Sequence, residues 1–225
     1  MGSIRWDIMI PSLGPLLKGA QITLELTAGA VAIGIVIGLV MALMRLSNNK
    51  LLKAIAVSYI DFLRGTPLLV QIFIAYFGFP QIFGFTPPEN YQFIAATLAM
   101  GLNSGAYIAE IFRAGIQSID RGQSEAARSL GMTQGQAMRY IILPQAFKRV
   151  IPPLGNEFIA LLKDSSLVAL IALEDLMYSG KIIVGRTYQP FPIYIEVALI
   201  YLVMTLFLSR LVSYTERRLG KSDLR

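Results

Sequence analysis

The sequence predicts an all-α membrane protein of about five transmembrane helices, and three observations predict it. Of 225 residues, 55% are hydrophobic and only 15% charged, more apolar surface than a soluble chain of this length can bury. Apolar stretches of about twenty residues, the length that crosses a bilayer, recur along the chain. Lysine and arginine gather on alternate connecting segments, as the positive-inside rule requires.

The first span covers residues 22–44, interrupted only by Glu25 and lined with Gly29, Gly34 and Gly38. The second, residues 54–79, is polar in its first half at Asp61 and Arg64. Gly65 and Pro67 interrupt it, which a span tolerates only where protein or a cavity satisfies the freed backbone groups. The third, residues 93–112, is apolar apart from Asn103, Ser104, Tyr107 and Glu110. Residues 150–173 form the fourth, with Glu157, Lys163 and Asp164. The fifth runs over residues 193–209 with Glu196 near its start, and the tail to Arg225 continues it into the cytoplasm. Gly34 with Gly38, and Gly101 with Gly105, are spaced for close helix packing.

With the N-terminus outside and the C-terminus cytoplasmic, the inner segments hold three groups of basic residues. These are Arg45, Lys50 and Lys53, then Arg113, Arg121, Arg128, Arg139, Lys148 and Arg149, then Arg210, Arg217, Arg218, Lys221 and Arg225. Only Arg5, Lys18, Lys181 and Arg186 fall outside. The net charge of +6 is thus a topology signal, and nucleic acid has no place in the account. No basic stretch, short apolar run and small-residue cleavage site open the chain, so the first apolar helix is expected to act as the insertion signal. One membrane domain is expected over residues 1–225, with a cytoplasmic loop at residues 113–149.

Cysteine and histidine are both absent. Disulfides, thiolate metal sites and histidine-based catalysis are excluded with them. Gly220, Lys221 and Ser222 resemble the end of a phosphate-binding loop, but position 215 is Thr215 instead of glycine and a membrane helix precedes it. An ATP-driven process would therefore draw on another subunit.

The cytoplasmic loop is the most specific segment. It reads Glu125-Ala126-Ala127, three residues, Gly131, nine residues, then Ile141-Ile142-Leu143-Pro144. Ser124 or Asp120 is placed to cap a helix through Glu125, Ala126, Ala127 and Leu130. Gly131 supplies a left-handed stop. A second short helix over residues 134–142 is expected to end before Pro144. Ala126 and Ala127 leave room for the surface of another protein. This pattern resembles, at every fixed position, the EAA motif of permease subunits of bacterial binding-protein-dependent ABC importers. Residues 19–27 and residues 64–71 (Arg64-Gly65-Thr66-Pro67-Leu68-Leu69-Val70-Gln71) resemble the polar amino acid branch.

The resemblance implies a type I ABC importer permease fold in the bacterial inner membrane. It places Glu125, Ala126, Ala127, Leu130, Gly131 and Pro144 in ATPase coupling. The implied partners are two ABC ATPase subunits carrying ATP and magnesium, a second permease copy or close paralogue, and an extracytoplasmic amino-acid-binding protein. The chain itself would hold no cofactor and be no enzyme.

Ionisable groups inside a span are costly and point toward an interior cavity. Glu157 and Asp164 are seven residues apart, on almost one helix face, which suits a cationic cargo. Asn103, Ser104 and Tyr107 are the expected third-span contributors, while Glu110 is placed to pair with Arg113. A basic amino acid is the expected cargo. The alternatives are a permease for glutamine or glutamate, and a membrane scaffold that docks an ATPase without a pathway.

Overall fold

The computed structural model describes residues 4–220, and within them every regular element is helical. Lys221, Ser222 and Arg225 of the tail lie outside the described residues. The chain forms α1 (Met9–Leu46), α2 (Lys50–Gly65), α3 (Leu68–Phe73), α4 (Phe79–Phe83), α5 (Tyr91–Gln117), α6 (Arg121–Ser129), α7 (Gln134–Ala137), α8 (Leu143–Asp164), α9 (Leu176–Thr187) and α10 (Pro190–Gly220).

Two helical stretches, Trp6–Leu46 and Pro190–Arg218, are long and apolar enough to cross a membrane unaided. Lys50–Gly65 and Leu68–Phe83 make a third crossing if taken as one span, bent by 104° at the predicted Gly65–Pro67 break. Helices α5 and α8 carry the third and fourth expected spans but are too polar to meet the same measure. Helix α5 is instead interior, with Ala96, Met100, Ala106, Ile108 and Ala109 fully buried.

Glycine lets α1 and α5 touch backbone to backbone. A β carbon on Gly34 would stand 3.2 Å from the Gly105 nitrogen, and one on Gly101 would stand 3.1 Å from the Ala30 carbonyl oxygen. Both glycine pairs therefore serve packing, as their spacing predicts. Around this seam Leu26, Ala30, Ile72, Ala96, Met100, Leu161 and Val168 form the main core.

Two predicted boundaries are corrected. The fourth span does not run helically to residue 173. Helix α8 ends at Asp164, a tighter 3-10 stretch covers Ser165–Ile171, and Ala172 turns left-handed at φ 59°. Nor does the short helix stop before Pro144. Helix α7 passes through a π turn, Met138–Ile142, directly into α8, with Pro144 in its first turn.

A proline ring collides with the carbonyl four residues back, here Tyr140. The wider π turn moves that carbonyl aside. The same arrangement occurs before Pro80, where the π turn Ile74–Gly78 contains Tyr76 at the matching position.

Candidate functional site

The α6–α7 hairpin is built from local signals. The Asp120 carboxylate caps α6, accepting from the Gly122 N–H at 2.6 Å, and Ser124 has no part in the cap. At the other end Met132 N–H reaches the Ala127 carbonyl at 3.1 Å, wrapped around Gly131 at φ +86°. That bond closes the helix in the left-handed form only glycine adopts cheaply.

Thr133 and Gln136 then form a reciprocal capping box for α7. The Thr-x-x-Gln spacing announces it, although the sequence reading passed over it. The reversal places α6 and α7 against each other, with Ala127 and Ala137 buried between them. Ile119, Ile142 and Ala146 pack beneath.

This geometry splits the expected role of the two alanines. Ala126 faces outward beside Glu125 and Leu130, whose side chain is 83% exposed. Ala127 is buried, so its small size closes the hairpin on itself.

The second feature is a cavity of about 640 Å³ between α2, α5 and α8. Arg64, Tyr107, Glu110, Arg149 and Glu157 supply its polar lining. Ser104 donates to the Glu157 carboxylate at 2.9 Å, joining α5 to α8. The Arg64 guanidinium lies 5.1 Å from the centre of the Tyr107 ring, a cation–π contact that fixes its position. Glu110 pairs with Arg113 at 2.8 Å, as its spacing predicts, and also with Arg45 from the end of α1.

Two of the five predicted cargo residues, Tyr107 and Glu157, line this cavity, and Ser104 stands fully buried behind Glu157 as its hydrogen-bond donor. Asn103 does not line it. It is buried, donating to the Leu63 carbonyl at 3.1 Å and to Gln71 Oε1 at 3.0 Å. The reason is Pro67, which has no N–H to give Leu63, its partner four residues back. Gln71 Nε2 also reaches Leu63 at 2.9 Å and the Thr66 carbonyl at 3.1 Å. Asn103 and Gln71 thus satisfy the carbonyls freed by the break.

Asp164 is exposed at the end of α8 and is not among the cavity's lining. Lys163 lines a separate cavity of about 450 Å³ with Tyr201. Arg64 lines the cavity although the sequence does not single it out. Its signal was a charge at the last turn of a broken span, which packing would explain equally well.

Comparison with known proteins bears on both features. Residues 34–221 match the family described as binding-protein-dependent transport system inner membrane component. The probable glutamine ABC transporter permease protein GlnM of Bacillus subtilis is 44% identical over 96% of this chain and 98% of its own. The arginine transport system permease protein ArtQ of the same organism is 41% identical, over 98% and 100%. The glutamate/aspartate import permease protein GltK of Escherichia coli is 41% identical, over 97% and 99%. A crystal structure of an amino acid ABC transporter with histidines contains a chain 48% identical, with a TM-score of 0.91 over 96% of this chain and 100% of that one. Hairpin, broken span and helical architecture therefore have one explanation: the chain belongs to the family of inner-membrane components of binding-protein-dependent transport systems.

Proposed function

We propose that this chain is a permease subunit of an ATP-driven amino acid importer and that its cargo is a basic amino acid. The carrying observation is Glu157, half-buried on Ser104 in a cavity that also presents Arg64. An α-amino acid brings an ammonium and a carboxylate, and a basic one adds a second cation. Arg64 takes the carboxylate in a bidentate pair. Glu157 takes a cationic group. Asp164, two turns further along α8 and outside the cavity lining, is assigned the far end of a long cationic side chain that extends beyond the cavity.

In this reading two permease subunits enclose the pathway, with the N-terminus outside and the C-terminus inside. Two ATPase subunits receive the α6–α7 hairpins through Glu125, Ala126, Leu130 and the turn at Gly131. A binding protein delivers cargo from outside. ATP binding shifts the population from an inward-open to an outward-open state. The chain has no phosphate-binding loop, so hydrolysis belongs to the partner.

The test is arginine-stimulated ATPase activity of the assembled importer in vesicles. Glu157→Gln with Asp164→Asn is expected to abolish stimulation while basal ATPase activity persists. Stimulation and uptake that survive both changes sink the assignment. A second reading, glutamine or glutamate as cargo, is favoured by relatives named for those amino acids. Uptake competition with unlabelled glutamine, glutamate, arginine and lysine separates the two.

A further inference from the structure

We infer that Asp175 is the anionic ligand of a sodium site, completed by the hydroxyls of Thr23, Ser165 and Tyr201 where α1, the 3-10 stretch, α9 and α10 meet. The site is separate from the cavity around Glu157, so its failure would leave the cargo reading untouched.

An uncompensated buried charge is the first support. Asp175, Thr23 and Ser165 are each 0% exposed. Asp175 caps α9, its Oδ1 accepting from the Tyr178 N–H at 2.8 Å. Its other oxygen, Oδ2, is buried and has no hydrogen-bond partner. None of the ion pairs among the described residues includes Asp175. A buried carboxylate without a countercharge is costly, and a bound cation removes that cost.

The donor set is the second support. The Tyr201 hydroxyl, from α10, stands beside Asp175, Ser165 and Thr23, yet its oxygen makes no direct hydrogen bond to any of them. Ser165 spends its proton on the Leu162 carbonyl at 2.7 Å, which leaves only lone pairs to offer. Thr23 Oγ1 accepts from the N–H of Leu176, the residue after Asp175, at 3.2 Å. Four separate elements thus bring together one carboxylate oxygen and three hydroxyl oxygens. An all-oxygen set suits a hard cation. A single negative charge matches a monovalent ion, whereas calcium sites draw on more carboxylate.

The surrounding frame is close and fixed. Gly19 brings α1 so near α9 that a β carbon there would stand 2.8 Å from the Asp175 carbonyl oxygen and 2.9 Å from the Leu176 Cα. Leu16, Ala20, Leu176 and Val197 form a buried cluster here, with Tyr201 packed against it. Such a frame cannot widen without moving backbone, which favours sodium over the larger potassium. Tyr201 also lines the cavity of about 450 Å³ shared with Lys163. Open space therefore lies one side chain away from Asp175.

The test heats the purified importer assembly in detergent, in sodium chloride or choline chloride at equal ionic strength and fixed pH. With sodium at about a hundredfold excess over its dissociation constant, the midpoint should rise by about 5–10 °C over choline. Potassium should raise it less. Equilibrium binding of radioactive sodium should give one site per permease chain. Asp175→Asn keeps a capping residue of the same shape and should abolish both the shift and the binding. Tyr201→Phe removes one oxygen and leaves the charge. It should raise the sodium concentration needed for half the shift about tenfold.

Equal midpoints in sodium and choline, with no radioactive sodium retained, overturn the proposal. A midpoint that follows pH and ignores sodium overturns it in favour of a proton on Asp175. Sodium binding that persists unchanged in Asp175→Asn overturns it by placing the ion elsewhere.

Discussion

Replacing Asn103 by leucine distinguishes a residue that mends the helix break from one that touches cargo. In the structure Gln71 Oε1 receives its hydrogen bond from Asn103 Nδ2 at 3.0 Å, and Gln71 is only 8% exposed. The Leu63 carbonyl keeps a second donor, Gln71 Nε2 at 2.9 Å. Asn103→Leu therefore orphans one buried acceptor, which costs about 1–3 kcal/mol. For a chain of this size each kcal/mol lowers the midpoint by about 2–4 °C, so a fall of several degrees is expected.

Gln71→Leu should cost more. It strips the Thr66 carbonyl and the Thr66 hydroxyl as well as one donor to Leu63. Both variants are measured by heating the detergent-solubilised protein in steps and following the soluble peak by size exclusion. The concentration of amino acid giving half-maximal ATPase stimulation is read in parallel and should stay within about twofold, since neither side chain lines the cavity. Unchanged thermal stability together with a tenfold weaker cargo response would refute the reasoning and return Asn103 to the cargo site.

Two further predictions use glycines in contrasting surroundings. Gly19→Ala drives a methyl into the backbone of α9, at 2.8 Å from the Asp175 carbonyl oxygen and 2.9 Å from the Leu176 Cα, and should cost about 1–3 kcal/mol by overpacking. Gly14→Ala, with nothing within 4 Å of the new carbon, should stabilise the helix by about 0.5–1 kcal/mol. The same heating assay ranks them, and equal midpoints would contradict the packing argument. Gly131→Ala keeps the hairpin sequence but forces alanine to φ +86°, costing about 1–2 kcal/mol in the turn. It should lower ATPase stimulation and recovery of the ATPase with the permease, and normal recovery with full stimulation would remove Gly131 from the coupling turn.

Much of the architecture was legible because the constraints are local or set by lipid. The break at Gly65 and Pro67, the left-handed stop at Gly131 and the pairing of Glu110 with Arg113 each follow from a residue type and a spacing. Three departures from the sequence reading have different causes, and only one is a partner remote in sequence. Asn103 looked like a polar group awaiting cargo because its acceptor, the Leu63 carbonyl, lies 40 residues away. Ala127 looked outward-facing because the helix that covers it, α7, comes only after the reversal. Pro144 looked like a terminator because a π turn leaves no mark of its own in the sequence. In hindsight Tyr76 and Tyr140, each four residues before a proline, are the common element of the two π turns.

The π turn before Pro144 has a mechanical consequence. Because the proline does not end the helix, no slack connector separates the α6–α7 hairpin from α8. From Gln134 to Glu157 the backbone is helical throughout, a distance of about 35 Å. A tilt of about ten degrees imposed at the hairpin would carry Glu157 about 6 Å, if α8 swings as one rod over that length. A stroke imposed at the hairpin and the displacement of the carboxylate would then be joined by leverage, and the length of the arm would set the gain between them.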